Sequence, residues 1–261
     1  MSGFDLTGCC ALITGASAGI GREFAQQLAG RAASLVLVAR RLDRLEELRA
    51  ELTRKDPNLN VHCRAVDLSQ PSEVEGLFAW LTQERITIDF LINNAGLGDR
   101  GTFATAEPQR VHQQLTVNIV ALTMLTRALL PGMIAKKHGA ILNVSSSAGF
   151  LSIRKMAVYA ASKAYVTSFS DGIRGEVRKQ GVVVSALCPG PVDTEFSSVA
   201  RRSMGKPPFP SPSMMHLPVE AVVRAGLAAI ERNKPLVIPG VVMKIAMLLV
   251  RLTPMAILRR V

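Results

Sequence analysis

The sequence predicts an α/β protein built on a single doubly wound parallel sheet with helices on both faces. Three observations predict it. Short apolar, β-rich runs alternate with stretches of helical periodicity. Six or seven such units follow one another with no break in composition before about residue 195. The chain has 261 residues and is 48% hydrophobic, which suits one generous core and excludes a solvated, disordered chain.

The elements follow in order. Strands are expected at residues 9–14 (CCALIT), 34–39 (SLVLVA), 60–65, 90–93, 140–145 and 182–188. Between and after them, apolar residues recur at helical spacing over 20–29, 42–53, 72–82, 108–136, 159–179 and 219–232. Neither an internal repeat nor a low-complexity segment interrupts the series, so residues 1–261 read as one domain.

The first strand closes in Thr14-Gly15-Ala16-Ser17-Ala18-Gly19-Ile20-Gly21, and a helix starts at once. Glycines there let the backbone turn tightly and approach a pyrophosphate, whose charge the free N–H groups of a helix N-terminus hold. The spacing Gly-x3-Gly-x-Gly departs from the usual Gly-x-Gly-x2-Gly, and an ordinary tight turn is the alternative reading. At the end of the second strand an NAD site carries an acidic residue for the ribose hydroxyls. This chain has Arg40 and Arg41 instead. Two guanidinium groups suit a 2′-phosphate through charge-assisted bonds, so NADP(H) is the expected cofactor. Solvated arginines at a helix start are the bland alternative.

Tyr159 and Lys163 stand four apart, hence on one helical face. A phenol with a pKa of about 10 is a poor acid–base catalyst near neutrality, and a neighbouring cation brings that value down. Surface packing also produces such pairs. Ser146 lies thirteen residues earlier at the end of a strand, where its hydroxyl suits a substrate oxygen; Ser145 and Ser147 flank it.

Thr14 to Gly21, Asp67-Leu68, Asn93-Asn94-Ala95-Gly96, Asn118, Ser146, Tyr159 with Lys163, and Pro189-Gly190 occur in this order on suitable elements. Together they resemble the short-chain dehydrogenase/reductase family in its single-domain, Rossmann-type form, over roughly residues 6–195. The resemblance implies that Tyr159 is the general acid for carbonyl reduction and the base for alcohol oxidation. It implies that Lys163 lowers the pKa of Tyr159 and binds ribose hydroxyls, that Ser146 polarises the carbonyl, and that Asn118 holds a relay water. Cofactor contacts are then expected from Gly15, Ser17, Gly19, Ile20, Gly21, Arg40 and Arg41. Further contacts are expected from Asp67 (to the adenine amino group), Leu68, Asn94, Ala95, Gly96, Pro189, Gly190, Val192 and Thr194, besides Tyr159 and Lys163. Asn93 is expected to line the cofactor and to brace the central strands. The expected activity is an NADP(H)-dependent interconversion of a hydrophobic ketone, aldehyde, steroid-like or long-chain acyl carbonyl with its alcohol. A 3-oxoacyl-thioester reductase is the nearest alternative, and a non-catalytic NADP-binding sensor or scaffold the alternative of another class.

Charge is uneven. Of the formal net charge of +11, residues 196–261 carry +8, with ten Lys or Arg against Glu220 and Glu231. The resemblance implies that residues 191–218 are a substrate-covering segment. Phe196, Met204, Pro207, Pro208, Phe209, Met214 and Met215 favour a bulky hydrophobic substrate. A loop packed on its own body is the alternative, and Arg201, Arg202 and Lys206 suit a phosphate or an acidic carrier. Residues 240–261 form an apolar, basic extension in which Lys244 and Arg251 fall seven apart before Pro254. Such a helix packs in a core, forms a dimer seam or lies at a membrane interface. The ending departs from the strand and turn that build tetramers in acyl-carrier thioester reductases, so a homodimer is expected. It is similar to the endings of long-chain ketoacyl and hydroxysteroid reductases.

One Trp and two Tyr supply no aromatic platform for nucleic acid. His62, His112, His138 and His216 lack ligand spacing, and no metal is expected. Cys9, Cys10, Cys63 and Cys188 read as reduced core residues. With neither a basic-then-apolar start nor an uncharged apolar run of about 20 residues, the expected location is the cytoplasm, at most peripheral to a membrane.

Overall fold

Seven parallel strands form one sheet in the computed structural model, which describes residues 2–196, 200 and 216–253. They are β1 (Cys10–Thr14), β2 (Ser34–Ala39), β3 (Asn60–Ala65), β4 (Phe90–Asn93), β5 (Gly139–Val144), β6 (Val182–Leu187) and β7 (Leu236–Val237). Their order is β3-β2-β1-β4-β5-β6-β7. Side chains alternate across a strand. Leu35 and Leu37 of β2 therefore enter one core, and Val36 and Val38 enter the other. Both faces are apolar because helices cover both. On one side α1 (Gly19–Leu28) and α2 (Leu42–Lys55) bury Phe24, Leu28, Leu45 and Leu48, beside Val222, Val223 and Ile230 of α7 (Val219–Glu231). On the other, α3 (Pro71–Gln83), α4 (Pro108–Leu115), α5 (Leu122–Lys136) and α6 (Ala157–Val177) frame a core that includes Leu77, Leu81, Leu125, Met133 and Val177.

The helix expected over 108–136 is interrupted. A π-helical turn, Thr116–Ala121, joins α4 to α5 and buries Thr116, Val117, Asn118 and Ala121. The whole stretch Pro108–Lys136 is long and apolar enough to cross a membrane by composition, at mean hydropathy 1.6 over its most apolar window. Here Val117, Leu125 and Met133 are buried in the core beside the sheet. It is a core helix.

The C-terminal helix α8 (Val241–Leu252) lies against the short 3-10 turn Ser147–Phe150. Met243 and Met247 are buried, while Val241, Ile245, Leu248, Leu249 and Leu252 are exposed. Of the three fates its pattern allowed, packing on the core is met by one face of the helix, through Met243 and Met247. The side chain of Arg251 and residues 254–261, with Pro254, lie outside the described residues. So do Arg201, Arg202, Met204, Lys206, Pro207, Pro208, Phe209, Met214 and Met215 of the expected covering segment.

Phe24 is fully buried between α1 and the sheet. Phe24→Ala is expected to lower unfolding free energy by about 3–5 kcal/mol, read from urea denaturation. An unchanged midpoint would show that this packing contributes little.

Candidate active site

The site forms where the strand order reverses direction. β1 and β4 are neighbours although residues 15–89 lie between them in the chain; their C-terminal ends are stitched by side chains. Thr14 Oγ1 accepts from the backbone N–H groups of Asn94 and Ala95, each at 3.0 Å, and the Asn94 amide donates to Thr14 O at 2.9 Å. The glycine loop springs from this seam. A Cβ on Gly21 would lie 2.2 Å from the Gly15 carbonyl oxygen, so only glycine lets the first turn of α1 sit on the loop. The N-cap, Ala18, offers no side-chain cap, which leaves the first N–H groups of α1 for an anion.

Of the two arginines after β2, Arg41 turns to the loop: its Nη2 donates to Ser17 Oγ at 3.2 Å and its Nη1 to Glu195 at 3.1 Å. Arg40 is exposed and makes no hydrogen bond or ion pair among the described residues. Arg44, which the motif reading passed over, donates to Glu195 at 2.6 Å. Its signal was present in the sequence, since Arg41 and Arg44 are three apart at the start of α2. Ser17, Gly19, Arg44, Thr194 and Glu195 line a cleft of ≈ 590 Å³. At the end of β3, Asp67 accepts from the Ser69 hydroxyl at 2.8 Å, and Leu68 is buried. Ile20 packs on the core, and Val192 bridges Leu217 in parallel. Pro189 O accepts from Ser147 N at 2.9 Å, beside Gly190.

Tyr159 and Lys163 share the buried face of α6. Lys163 Nζ donates to Val144 O at 2.8 Å and lies 5.8 Å from the centre of the Tyr159 ring. Gly96 is beside that ammonium: a Cβ built there would be 3.4 Å from it. Ser146 caps the 3-10 turn by accepting from Ala148 N at 3.1 Å, and its hydroxyl is the polar neighbour that lowers the Tyr159 phenol. Its neighbour Ser145 is committed elsewhere, donating to Lys163 O at 2.7 Å. Three adjacent serines thus separate by geometry, with Ser146 at the phenol.

Burial pushes the Tyr159 phenol up to about 12, and the Ser146 hydrogen bond offsets only part of that rise. Burial also pushes the Lys163 ammonium down to about 8. In this arrangement removal from water outweighs any lowering of the phenol by the Lys163 ammonium, which is engaged by the Val144 carbonyl. Phe196 adds to the enclosure, its ring 5.4 Å from that of Tyr159.

Asn118 stands in the π turn, a deformation that clusters at functional sites. Its amide accepts from Leu97 N at 2.7 Å and donates to Leu97 O and to Ser162 Oγ, both at 2.9 Å. Both amide N–H groups are thus taken by protein, whereas the Oδ1 that accepts from Leu97 N keeps a second lone pair for a relay water. Ser162, which sequence reasoning missed, donates in turn to Tyr159 O at 2.7 Å. A second buried chain runs from Thr126 through Asn93 and Asn143 to Ser170, bracing β4 and β5 against α5 and α6. Asn93 is thus fully inside this brace.

A glycine cradle, an arginine aimed at it, and Tyr159, Ser146 and Lys163 at one end of a parallel sheet are now in place. The family model for short chain dehydrogenases matches residues 9–205. The chain belongs to the short-chain dehydrogenase family. A very-long-chain 3-oxoacyl-CoA reductase of Caenorhabditis elegans is 36% identical over 203 residues, 76% of this chain but 64% of that protein. The chain thus spans under two thirds of that relative. A sulfoacetaldehyde reductase of Chromohalobacter salexigens is 39% identical over 192 residues, covering 73% of this chain and 75% of its own. Among solved structures, a short-chain dehydrogenase from Sphingobium yanoikuyae in complex with NADPH superposes with a TM-score of 0.80 at 32% identity, covering 89% of this chain and 88% of that one.

Gly21→Ala is expected to weaken NADPH binding by at least about tenfold, or about 1.4 kcal/mol, with the far-UV dichroism of the sheet retained. Unaltered affinity in calorimetry would show that the cradle is not the dinucleotide site.

Proposed function

We propose that the chain is an NADP(H)-dependent oxidoreductase that interconverts a hydrophobic carbonyl compound and its alcohol. The observation that carries this reading is the convergence of Tyr159, Ser146 and Lys163 beside the glycine loop. The residues present fit the dinucleotide: the loop is closed to any Cβ at Gly21, and Arg41 reaches Ser17 from the end of β2. Gly15, Ser17, Gly19, Ile20 and Gly21 would hold the pyrophosphate half and Asp67 with Leu68 the adenine. Asn94 to Gly96, Pro189, Gly190, Val192 and Thr194 would hold the nicotinamide half. When bound, the cofactor supplies the hydride for the carbonyl carbon or accepts it from the alcohol.

In reduction, Tyr159 donates its proton to the carbonyl oxygen while the Ser146 hydroxyl hydrogen-bonds the same oxygen, so negative charge is met as it develops. Burial favours the phenol in its protonated, donating form. Lys163 brings a positive charge beneath it and a donor for ribose hydroxyls. Carbonyl, hydride and proton give the alcohol; oxidation runs the same steps backwards with Tyr159 as base.

A long-chain 3-oxoacyl thioester is the more specific substrate reading. It is supported by the C. elegans relative and by the apolar surroundings of the site, where Phe196 faces Tyr159 and α8 adjoins the turn after Ser146. The exposed row Val241, Ile245, Leu248, Leu249 and Leu252, beside Lys244, supports peripheral contact of a cytoplasmic protein with a lipid surface. The exposed apolar Leu115, Val120 and Met124 support a homodimer.

Tyr159→Phe is expected to keep NADPH affinity and to lose turnover of a ketone panel by at least about two orders of magnitude. Full turnover would dismiss the mechanism. Lys163 is charged below about 8 and neutral above it, whereas Tyr159 keeps its proton to about 12. Reductive kcat/KM is therefore expected to fall as pH rises through about 8; a profile flat to pH 10 would remove Lys163 from that role. Full-length protein is expected to co-sediment with anionic liposomes and protein truncated at Val241 to stay in the supernatant. Equal recovery in the supernatant would remove the lipid contact.

A further inference from the structure

The Glu195 carboxylate sits on the cation site that the NADP(H) reading reserves for a phosphate. One oxygen is 3.1 Å from Arg41 and the other 2.6 Å from Arg44, while Arg41 also reaches Ser17. The mutual hydrogen bonds hold the Glu195 carboxyl below the usual carboxylate range and the Arg44 guanidinium above its own. One anion is thus bound between the glycine loop and the start of α2, by the groups a 2′-phosphate would use.

Its chain neighbours extend the latch. Thr194 packs against Gly19 of the loop, where a Cβ would meet its side chain at 3.1 Å. Phe196 lies 5.4 Å from the Tyr159 ring, seated in a gap that exists because residue 98 is glycine; a Cβ there would come within 2.7 Å of the Phe196 ring. Three consecutive residues therefore touch the cradle, the cation pair and the phenol.

We propose that Arg44 completes a 2′-phosphate site with Arg41 and Ser17, and that Glu195 is a built-in competitor for that site whose expulsion draws Phe196 off Tyr159. The inference rests on the NADP(H) reading and adds to it a second phosphate ligand and a coupling between cofactor choice and access to the phenol. A 2′-phosphate carries up to two negative charges and three acceptor oxygens against the single charge of a carboxylate. The Arg41–Glu195 and Arg44–Glu195 pairs are 38–48% exposed, so solvent screens them and the exchange is open to a stronger anion. A cofactor with a neutral 2′-hydroxyl does not compete for two guanidinium groups. It leaves Glu195 in place and Phe196 on the phenol.

Calorimetric titrations of the full chain, Glu195→Gln and Arg44→Gln with NADPH, NADH and adenosine 2′,5′-bisphosphate test the site. Glu195→Gln is expected to tighten NADPH and the bisphosphate by at least about fivefold, and Arg44→Gln to weaken them by at least about tenfold, with NADH within about twofold in both. The gain from Glu195→Gln is expected to vanish in the Arg41→Gln, Arg44→Gln background. For the coupling, Tyr165→Phe leaves Tyr159 as the single tyrosine. Its nitration by tetranitromethane is expected to accelerate severalfold with adenosine 2′,5′-bisphosphate and not with 5′-AMP. If the unsubstituted chain prefers NADPH yet both variants bind all three ligands as it does, or both adenosine probes change nitration equally, the inference falls alone. If the unsubstituted chain binds NADPH and NADH equally, the NADP(H) reading falls and the inference with it.

Discussion

The seam between the ends of β1 and β4 is the constraint on which the rest of the site depends. In a parallel sheet every strand delivers its chain to the same edge, and a crevice opens where the order turns from β2-β1 to β4-β5. Thr14, Asn94 and Ala95 close the backbone across that point with three hydrogen bonds. The glycine loop leaves one side of the seam and the Ala95-Gly96 turn leaves the other. A Cβ built on Gly96 would meet the Lys163 ammonium at 3.4 Å and the Asn118 amide oxygen at 3.5 Å, so a fixed seam also fixes the distance from the cradle to α6.

Two electrostatic effects oppose each other at Tyr159. A nearby ammonium favours the phenolate, while removal from water disfavours it. With the ammonium 5.8 Å from the ring and hydrogen-bonded to Val144, desolvation wins. The result suits a proton donor, because the hydroxyl keeps its proton until a carbonyl oxygen becomes basic enough to take it. The backbone of that helix is held rigidly: Asn118, Ser162 and the Tyr159 carbonyl form one buried chain, and Asn93, Asn143 and Ser170 form another a turn or two further along. Buried polar chains of this kind specify one arrangement, since any slip leaves donors and acceptors without partners.

At the other margin of the site, α8 applies two methionines to the turn that follows Ser146 and turns a row of larger aliphatic side chains outward. An apolar outer face on a helix that already rests on the active-site turn joins substrate chemistry and surface chemistry in one region.

Much of this protein was legible in the order of its residues. Six strand runs agree with the structure to within a residue at every end, because a short apolar, β-rich run is a local signal with a local cause. The glycine loop and the pairing of Tyr159 with Lys163 on one face follow from backbone geometry over four to seven residues. β7 escaped notice because two residues carry no periodicity, and the π turn because an extra residue in a helix leaves no compositional trace. Only the tertiary structure tied the Ser145 hydroxyl to the Lys163 carbonyl, placed Glu195 on Arg44 across 151 residues of chain, and set Phe196 over Tyr159. Those outcomes depend on which loops meet at the end of the sheet. Sequence determines a residue's immediate neighbours along the chain, whereas burial, charge pairing and the acidity of a phenol are set by neighbours that only folding brings near.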